Sequence, residues 1–204
     1  MRRIPMSRRS HVTGFQALGA GLTEHESALE RDFVTLSSFL DPTARILAQP
    51  VTIRFEDGVR SRRYTPDYLV FHSNLSQRFV EVKYRCDLLA NRERLEPAFA
   101  AMRAWAAARS ASFSVVTEDL IRGPTLDNAK RLLPLRSAPM DSARAEVALK
   151  AIREQRPPTL GDTVSALPMQ RPAALALLWQ LIARDLLCVD LSVPITPDTP
   201  VLLR

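Results

Sequence analysis

The sequence contains few of the residues that build zinc sites and disulfide frameworks. Its 204 residues include two cysteines, Cys86 and Cys188, and three histidines, His11, His25 and His72. The cysteines lie far apart, without the local cluster of a zinc site or the density of a secreted disulfide scaffold. The histidines show no metal-ligand spacing. We therefore expect free thiols and no histidine-built zinc site.

Long hydrophobic runs are also missing. No stretch approaches the roughly 18 uncharged apolar residues of a membrane span. The first residues, Met1 to Met6, lack the apolar core of a signal peptide. We therefore expect a cytoplasmic protein with no membrane partner.

Lysine is scarce although the chain is basic. There are 28 lysines and arginines against 22 acidic residues, giving a net charge of +6, and only Lys83, Lys130 and Lys150 are lysines. The positive excess falls in residues 1–138, with 21 basic against 15 acidic residues, whereas residues 139–204 hold 7 of each. A polyanion such as nucleic acid is thus expected to bind the first part of the chain.

The N-terminal segment adds to that basic character. We predict a flexible basic arm over residues 1–22, carrying Arg2, Arg3, Arg8 and Arg9. The alternative is a solvated tail without a binding role.

Periodicity predicts an α/β domain over residues 23–135. Apolar spacing indicates a first helix over 24–40, with Thr23 and Glu26 as a possible capping box. The dipeptide Asp57-Gly58 predicts a hairpin turn. The remaining predicted strands are 45–48, 51–55, 60–64, 68–71, 79–84 and 112–117, and the remaining predicted helices are 91–109 and 126–133. This order favours a mixed sheet with helices on its faces.

A Pro-bounded segment, 134–139, is the predicted linker to a second domain over residues 136–204. That domain is predicted to contain helices over 142–154, 160–167 and 172–187, then a short strand over 188–191. Three helices followed by a β segment is the layout of a winged helix. The third helix contains only Arg184, with Arg171 at its start, and DNA-reading helices are normally basic. We therefore expect this domain to dock on a partner protein more than on DNA.

Charged residues interrupt two otherwise apolar strands. Asp67 opens one strand, while Glu81 and Lys83 alternate with valines in the next, so their side chains share a sheet face. Buried strand faces rarely carry such charges unless they are paired or ion-bound. Two carboxylates and an ammonium can hold a divalent cation and an attacking water, as metal-assisted phosphodiester cleavage requires. The alternative is a structural Glu–Lys pair on a solvated strand face.

The preceding helix offers a further carboxylate. Glu26 and Glu30 are one turn apart and share a helix face, so either could be an additional metal ligand. A solvated helix face is the competing interpretation.

Pro66-Asp67 followed by Glu81-Val82-Lys83 resembles the PD-(D/E)xK nuclease signature. The ordered blocks around it resemble TnsA, the endonuclease subunit of heteromeric bacterial DNA transposases, across residues 12–135. These blocks are 26–33, 49–53, 63–67, 80–83 and 113–118. The resemblance implies a PD-(D/E)xK restriction-endonuclease-like core followed by a winged-helix-like all-α domain.

The resemblance also implies roles for five residues. Glu30 matches the helix glutamate, Asp67 the central metal-bridging aspartate and Glu81 the second strand ligand. Val82 would offer its backbone carbonyl to the metal, and Lys83 would be the catalytic lysine. Some family members have glutamine where this chain has Glu81, so the chain adds a charged ligand.

The expected activity is Mg2+-dependent hydrolysis of DNA at the 5′ ends of a mobile element, with Mn2+ as a substitute ion. The expected partners are transposon-end DNA, an RNase-H-like (DDE) transposase that cuts the 3′ ends, and an AAA+ ATPase regulator. Two alternatives stay open: a stand-alone restriction or repair nuclease, and a catalytically inert DNA-binding scaffold of the same fold.

Overall fold

A computed structural model describes residues 14–18, 21–155 and 159–204. The chain divides into two compact units, Met1–Arg122 and Gly123–Arg204. The predicted linker over 134–139 therefore belongs to the second unit. The arginines of the predicted basic arm lie outside the described residues, whereas residues 14–18 and 21–22 of the same predicted segment belong to two paired strands and not to a flexible arm.

The first unit alternates short strands with helices. Its strands are β1 Gly14–Leu18, β2 Gly21–His25, β3 Arg45–Ala48, β4 Ile53–Glu56, β5 Ser61–Tyr64, β6 Tyr68–Phe71, β7 Gln77–Val82 and β8 Ser112–Val116. Its helices are α1 Ala28–Leu40, α2 Arg85–Ala90, α3 Arg92–Ala107 and α4 Glu118–Ile121.

A four-stranded sheet forms the centre of this unit, in the order β3-β6-β7-β8. β3, β6 and β7 run antiparallel, whereas β7 and β8 run parallel, because α2 and α3 carry the chain back between them. Tyr68, Leu69 and Val70 of β6 are all buried, which is typical of a strand covered on both faces. The predicted mixed α/β sheet is confirmed.

Helix α1 begins four residues later than predicted. Ser27 is its N-cap, and the Ser27 hydroxyl accepts a hydrogen bond from the Glu30 backbone N–H at 3.1 Å. The capping box predicted at Thr23 and Glu26 is therefore wrong. Thr23 lies in β2, where its hydroxyl donates to the Ile46 carbonyl at 3.3 Å. Pairing with β1 keeps this segment extended, and nothing in its local pattern reveals that pairing.

The β4/β5 hairpin forms a two-stranded sheet of its own. Its turn contains Gly58 at φ +87°, a left-handed conformation that glycine adopts without steric cost. Ile53 at the start of β4 lies opposite Tyr64 at the end of β5. Ile53 joins a core cluster in which the other buried members are Leu69, Phe79, Met102 and Ala106. The hairpin is thereby fixed at its base to the central sheet and α3.

The second unit is mainly helical. It contains α5 Pro124–Leu132, a 3-10 turn at Leu133–Leu135, α6 Ser142–Gln155, α7 Leu160–Ala166 and α8 Arg171–Ala183, then β9 Leu187–Cys188 paired antiparallel with β10 Leu202–Leu203. Leu178 and Ile182 of α8 are buried, whereas Leu175 on the same helix is exposed. No helix in the described part of the chain is long and apolar enough to cross a membrane.

Candidate active site

The strand pairing brings Asp67 and Glu81 to facing positions. β6 and β7 pair antiparallel with Tyr68 opposite Val80, and Asp67 and Glu81 are the next residues in that register. Facing residues of neighbouring strands project from the same side of the sheet. The Asp67 carboxylate is held there by the Val82 backbone N–H, which donates to Oδ2 at 2.8 Å.

Glu81 is buried, with 5% of its surface exposed, and both carboxylate oxygens have donors. Lys83 Nζ lies 2.8 Å from Glu81 Oε1. The Tyr64 hydroxyl donates to Glu81 Oε2 at 2.6 Å. Glu81 and Lys83 thus share one sheet face, as their alternation predicts. Glu81 does not lie on a solvated strand face, because its side chain is almost completely enclosed by the protein.

Tyr64 is a site residue that sequence reasoning missed. Burial, and then the negative charge of Glu81, raise the pKa of its hydroxyl, so it stays protonated and acts as a donor. Its ring packs edge-on against Phe99 at 5.9 Å and Phe113 at 6.2 Å between ring centroids. The available signal is an aromatic residue with a polar tip, three residues before Asp67 at the end of the preceding strand β5.

Glu30 reaches the site from α1, but its carboxylate also completes the helix cap. Glu30 Oε1 accepts from the Ser27 hydroxyl at 3.0 Å, and Oε2 accepts from the Glu26 backbone N–H at 2.9 Å. The Tyr68 hydroxyl also donates to Oε2, at 3.3 Å. The other helix candidate, Glu26, instead accepts from the Gln49 side-chain amide at 3.0 Å. Of the two predicted helix carboxylates, Glu30 is therefore the one whose oxygens face the sheet.

The site concentrates negative charge. Burial, and then repulsion by Glu81 and Glu30, raise the pKa of Asp67 well above its ordinary value, and the Val82 N–H and Lys83 only partly offset this. Burial lowers the pKa of Lys83, but attraction to the carboxylates, led by Glu81, outweighs it and the pKa is raised. Lys83 is thus an ammonium ion facing three carboxyl groups.

These residues suit a hard divalent cation. Carboxylate and carbonyl oxygens are the ligands that Mg2+ prefers in proteins, and Mg2+ needs only one or two carboxylates because it keeps several waters. A cation would also neutralise the excess charge at Asp67 and Glu81. Within the described residues, no group of three or more His, Cys, Asp or Glu side chains is placed so that it could hold a metal ion by itself.

A mixed sheet flanked by helices, with two carboxylates and a lysine together at the ends of its central strands, is compatible with a nuclease fold. Residues 41–118 match the family model described as TnsA-like endonuclease N terminal. The first unit therefore carries a TnsA-like endonuclease domain, related to transposon endonucleases, and the resemblance predicted from the sequence is confirmed. The matched segment includes Asp67, Glu81, Val82 and Lys83 and begins after Glu30. No curated protein matches the chain.

Proposed function

We propose that the chain is a Mg2+-dependent DNA endonuclease subunit of a transposase, which hydrolyses the 5′-end strand at transposon ends during cut-and-paste transposition. The observation that carries this proposal is the cluster of Asp67, Glu81 and Lys83 inside a TnsA-like endonuclease segment. The excess of carboxylates over ammonium explains why the site would take a divalent cation, with Mn2+ as a substitute.

Each residue has a distinct part in the proposed chemistry. Asp67 and Glu81 would hold the cation through their carboxylates, with the Val82 carbonyl and Glu30 as additional oxygen donors. When bound, such an ion acidifies an attacking water and stabilises charge on the scissile phosphate. Lys83 would orient that water and offset the negative charge that develops on the phosphate oxygens. Its hydrogen bond to Glu81 Oε1 holds the ammonium beside the carboxylates where this happens.

We propose that residues 136–204, which lie within the second unit, form a winged-helix-like domain that docks on a partner protein, either the RNase-H-like transposase or the AAA+ ATPase regulator. The balanced charge of residues 139–204, with 7 basic and 7 acidic residues, supports this, since affinity for DNA depends largely on neutralising phosphates. Deleting residues 139–204 should weaken binding to these partners and leave metal-dependent nicking chemistry possible. Loss of bare DNA binding with partner binding intact would contradict this assignment.

The activity is tested by 5′-end cleavage of a transposon-end duplex with the transposase present. Lys83→Ala should reduce the cleavage rate by about 10²–10⁴-fold, the usual contribution of a positioned acid–base group. The control is Lys130→Ala, which removes an exposed lysine from α5 in the second unit. Cleavage by Lys83→Ala at the wild-type rate would refute the proposed role.

The two alternative functions give different outcomes in the same preparation. Efficient cutting of plasmid DNA without any partner would favour a stand-alone nuclease. An inert scaffold would bind neither Mg2+ nor Mn2+, and Asp67→Ala would then change no metal-binding signal.

A further inference from the structure

The outer face of the β4/β5 hairpin carries two arginines directly opposite each other. Arg54 of β4 pairs with Arg63 of β5, and both are exposed. The neighbouring pair, Ile53 and Tyr64, points to the other side, where Ile53 enters the core and Tyr64 bonds Glu81. We call the exposed face formed by Arg54 and Arg63 the arginine ribbon.

This pairing does not help the fold. Like charges directly opposite each other on adjacent strands destabilise a sheet. Within the described part of the chain, neither Arg54 nor Arg63 forms an ion pair or a side-chain hydrogen bond. Arg62, on the opposite face of the same strand, does have an acidic partner, Asp57. The two ribbon arginines are thus available to an anion from outside the chain.

The arginine ribbon leads toward the candidate active site. Thr65 follows Arg63 on the same face, pairs its hydroxyl with that of Thr52 at 2.7 Å, and precedes Asp67 by two residues. Hydroxyl groups and arginines are the side chains that commonly contact phosphate and sugar. The arginines and these hydroxyl groups therefore lie in a row that ends two residues before Asp67.

We propose that the arginine ribbon binds the phosphate backbone of duplex DNA next to the cleaved bond. Long side chains from facing positions can reach the same phosphate or successive ones, and a two-stranded β-ribbon is narrow enough to lie along a DNA groove. Glu56 and Ser61 form the far end of this face, so the positive charge is concentrated on the half nearer Asp67. The inference rests on the proposed function for the identity of the anion.

The test measures binding of the full-length protein to a short DNA duplex by fluorescence anisotropy across a salt series in EDTA. Binding is then measured without hydrolysis. The variant is Arg54→Gln with Arg63→Gln. The matched control is Arg92→Gln with Arg131→Gln, which removes the same charge from two other exposed arginines without ion pairs in the described residues.

We expect the slope of log affinity against log salt to become shallower by about 1.8 for the ribbon variant, since each lost phosphate contact contributes about 0.9. The control slope should stay at the wild-type value. The melting temperature of the ribbon variant should be unchanged or slightly higher, because a like-charge pair has been removed.

Three results of this salt series would overturn the inference: an unchanged slope in the ribbon variant, an equal loss of slope in the control, or no wild-type binding to duplex DNA at low salt. Retained DNA binding with loss of an acidic protein partner would equally overturn it. Failure of the proposed function gives a different pattern. In that case the slope change appears as expected, but Mg2+ and the transposase produce no 5′-end cleavage.

Discussion

Tyr64→Phe isolates one hydrogen bond at the centre of the candidate site. The substitution keeps the ring and its packing against Phe99 and Phe113, and removes only the hydroxyl that donates to Glu81 Oε2 at 2.6 Å. Glu81 keeps Lys83 as its remaining side-chain donor. The change therefore tests whether the tyrosine holds the carboxylate in its working position.

The expected magnitude follows from burial and charge. A hydrogen bond to a charged group contributes about 1.5–3 kcal/mol, and Glu81 is only 5% exposed, so water replaces the lost donor poorly. We expect the free energy of unfolding to fall by about 2 kcal/mol. Loss of a partner that orients a metal-binding carboxylate typically lowers metal affinity or activity 10–100-fold, and a similar fall in cleavage rate is expected here.

The stability change is measured by urea denaturation with a reporter confined to the first unit. The chain has two tryptophans, and Trp105 packs on Phe79 at 5.5 Å between ring centroids. A Trp179→Phe background leaves Trp105 fluorescence as the signal, so unfolding of the second unit does not contribute.

Tyr84→Phe is the matched control. In the described residues, the only hydrogen bond of the Tyr84 hydroxyl is a solvent-exposed one, which it accepts from the Arg122 guanidinium at 3.1 Å. The substitution should change stability by less than about 0.5 kcal/mol. The reasoning is refuted if Tyr64→Phe unfolds like the control and cleaves at the wild-type rate.

Three further changes test the electrostatics and the helix cap. Burial and nearby carboxylates raise the pKa of Asp67, so its ionised form opposes folding. Asp67→Asn should therefore have a larger free energy of unfolding than wild type in EDTA at pH 7, and this difference should disappear below about pH 4. A smaller free energy of unfolding at pH 7 would contradict this. The Ser73 backbone N–H lowers the pKa of Asp41 to about 2. Asp41→Asn should therefore lower the free energy of unfolding by at most about 1 kcal/mol at neutral pH. Urea titrations should show this difference vanishing as the pH falls from about 4 to 2. Ser27→Ala removes the hydroxyl that accepts a hydrogen bond from the Glu30 N–H and should lower the free energy of unfolding in urea by about 1 kcal/mol. An unchanged urea midpoint would mean that the cap contributes nothing.

The central strands were predictable because their signals are local. β3 and β6 match the predicted ranges 45–48 and 68–71 at both ends. Each is a short apolar run bounded by turn residues or proline, and such runs form strands wherever they can be covered. The side-chain alternation that placed Glu81 and Lys83 on one face is equally local.

Element ends that depend on backbone conformation were predicted less well. The strand predicted to reach Tyr84 ends at Val82, and Tyr84 instead precedes α2. The helix predicted to reach Leu187 ends at Ala183, followed by Asp185 at φ 62°. A left-handed residue stops a helix, but aspartate does not identify such a position by itself.

The site was predictable in its charged residues and not in the groups that orient them. Asp67, Glu81 and Lys83 are conspicuous because charge is rare in apolar strands. The sequence does not distinguish Tyr64 from other aromatic residues in strands, because its contact with Glu81 depends on how the hairpin packs on the sheet. Glu30 could be assigned to the helix face but not to the cap, because the predicted helix start at residue 24 places the cap one turn before Ser27.

The double engagement of Glu30 affects how any substitution there should be interpreted. Its carboxylate closes the first turn of α1 through Ser27 and Glu26, and it also contributes repulsion that raises the pKa of Asp67. Glu30→Ala would loosen the helix start and relieve charge at the site in one step, so its activity loss combines two opposing changes. Glu30→Gln keeps an oxygen acceptor for the cap while removing the charge. The pair of variants therefore separates the helix-capping contribution of this side chain from its electrostatic one.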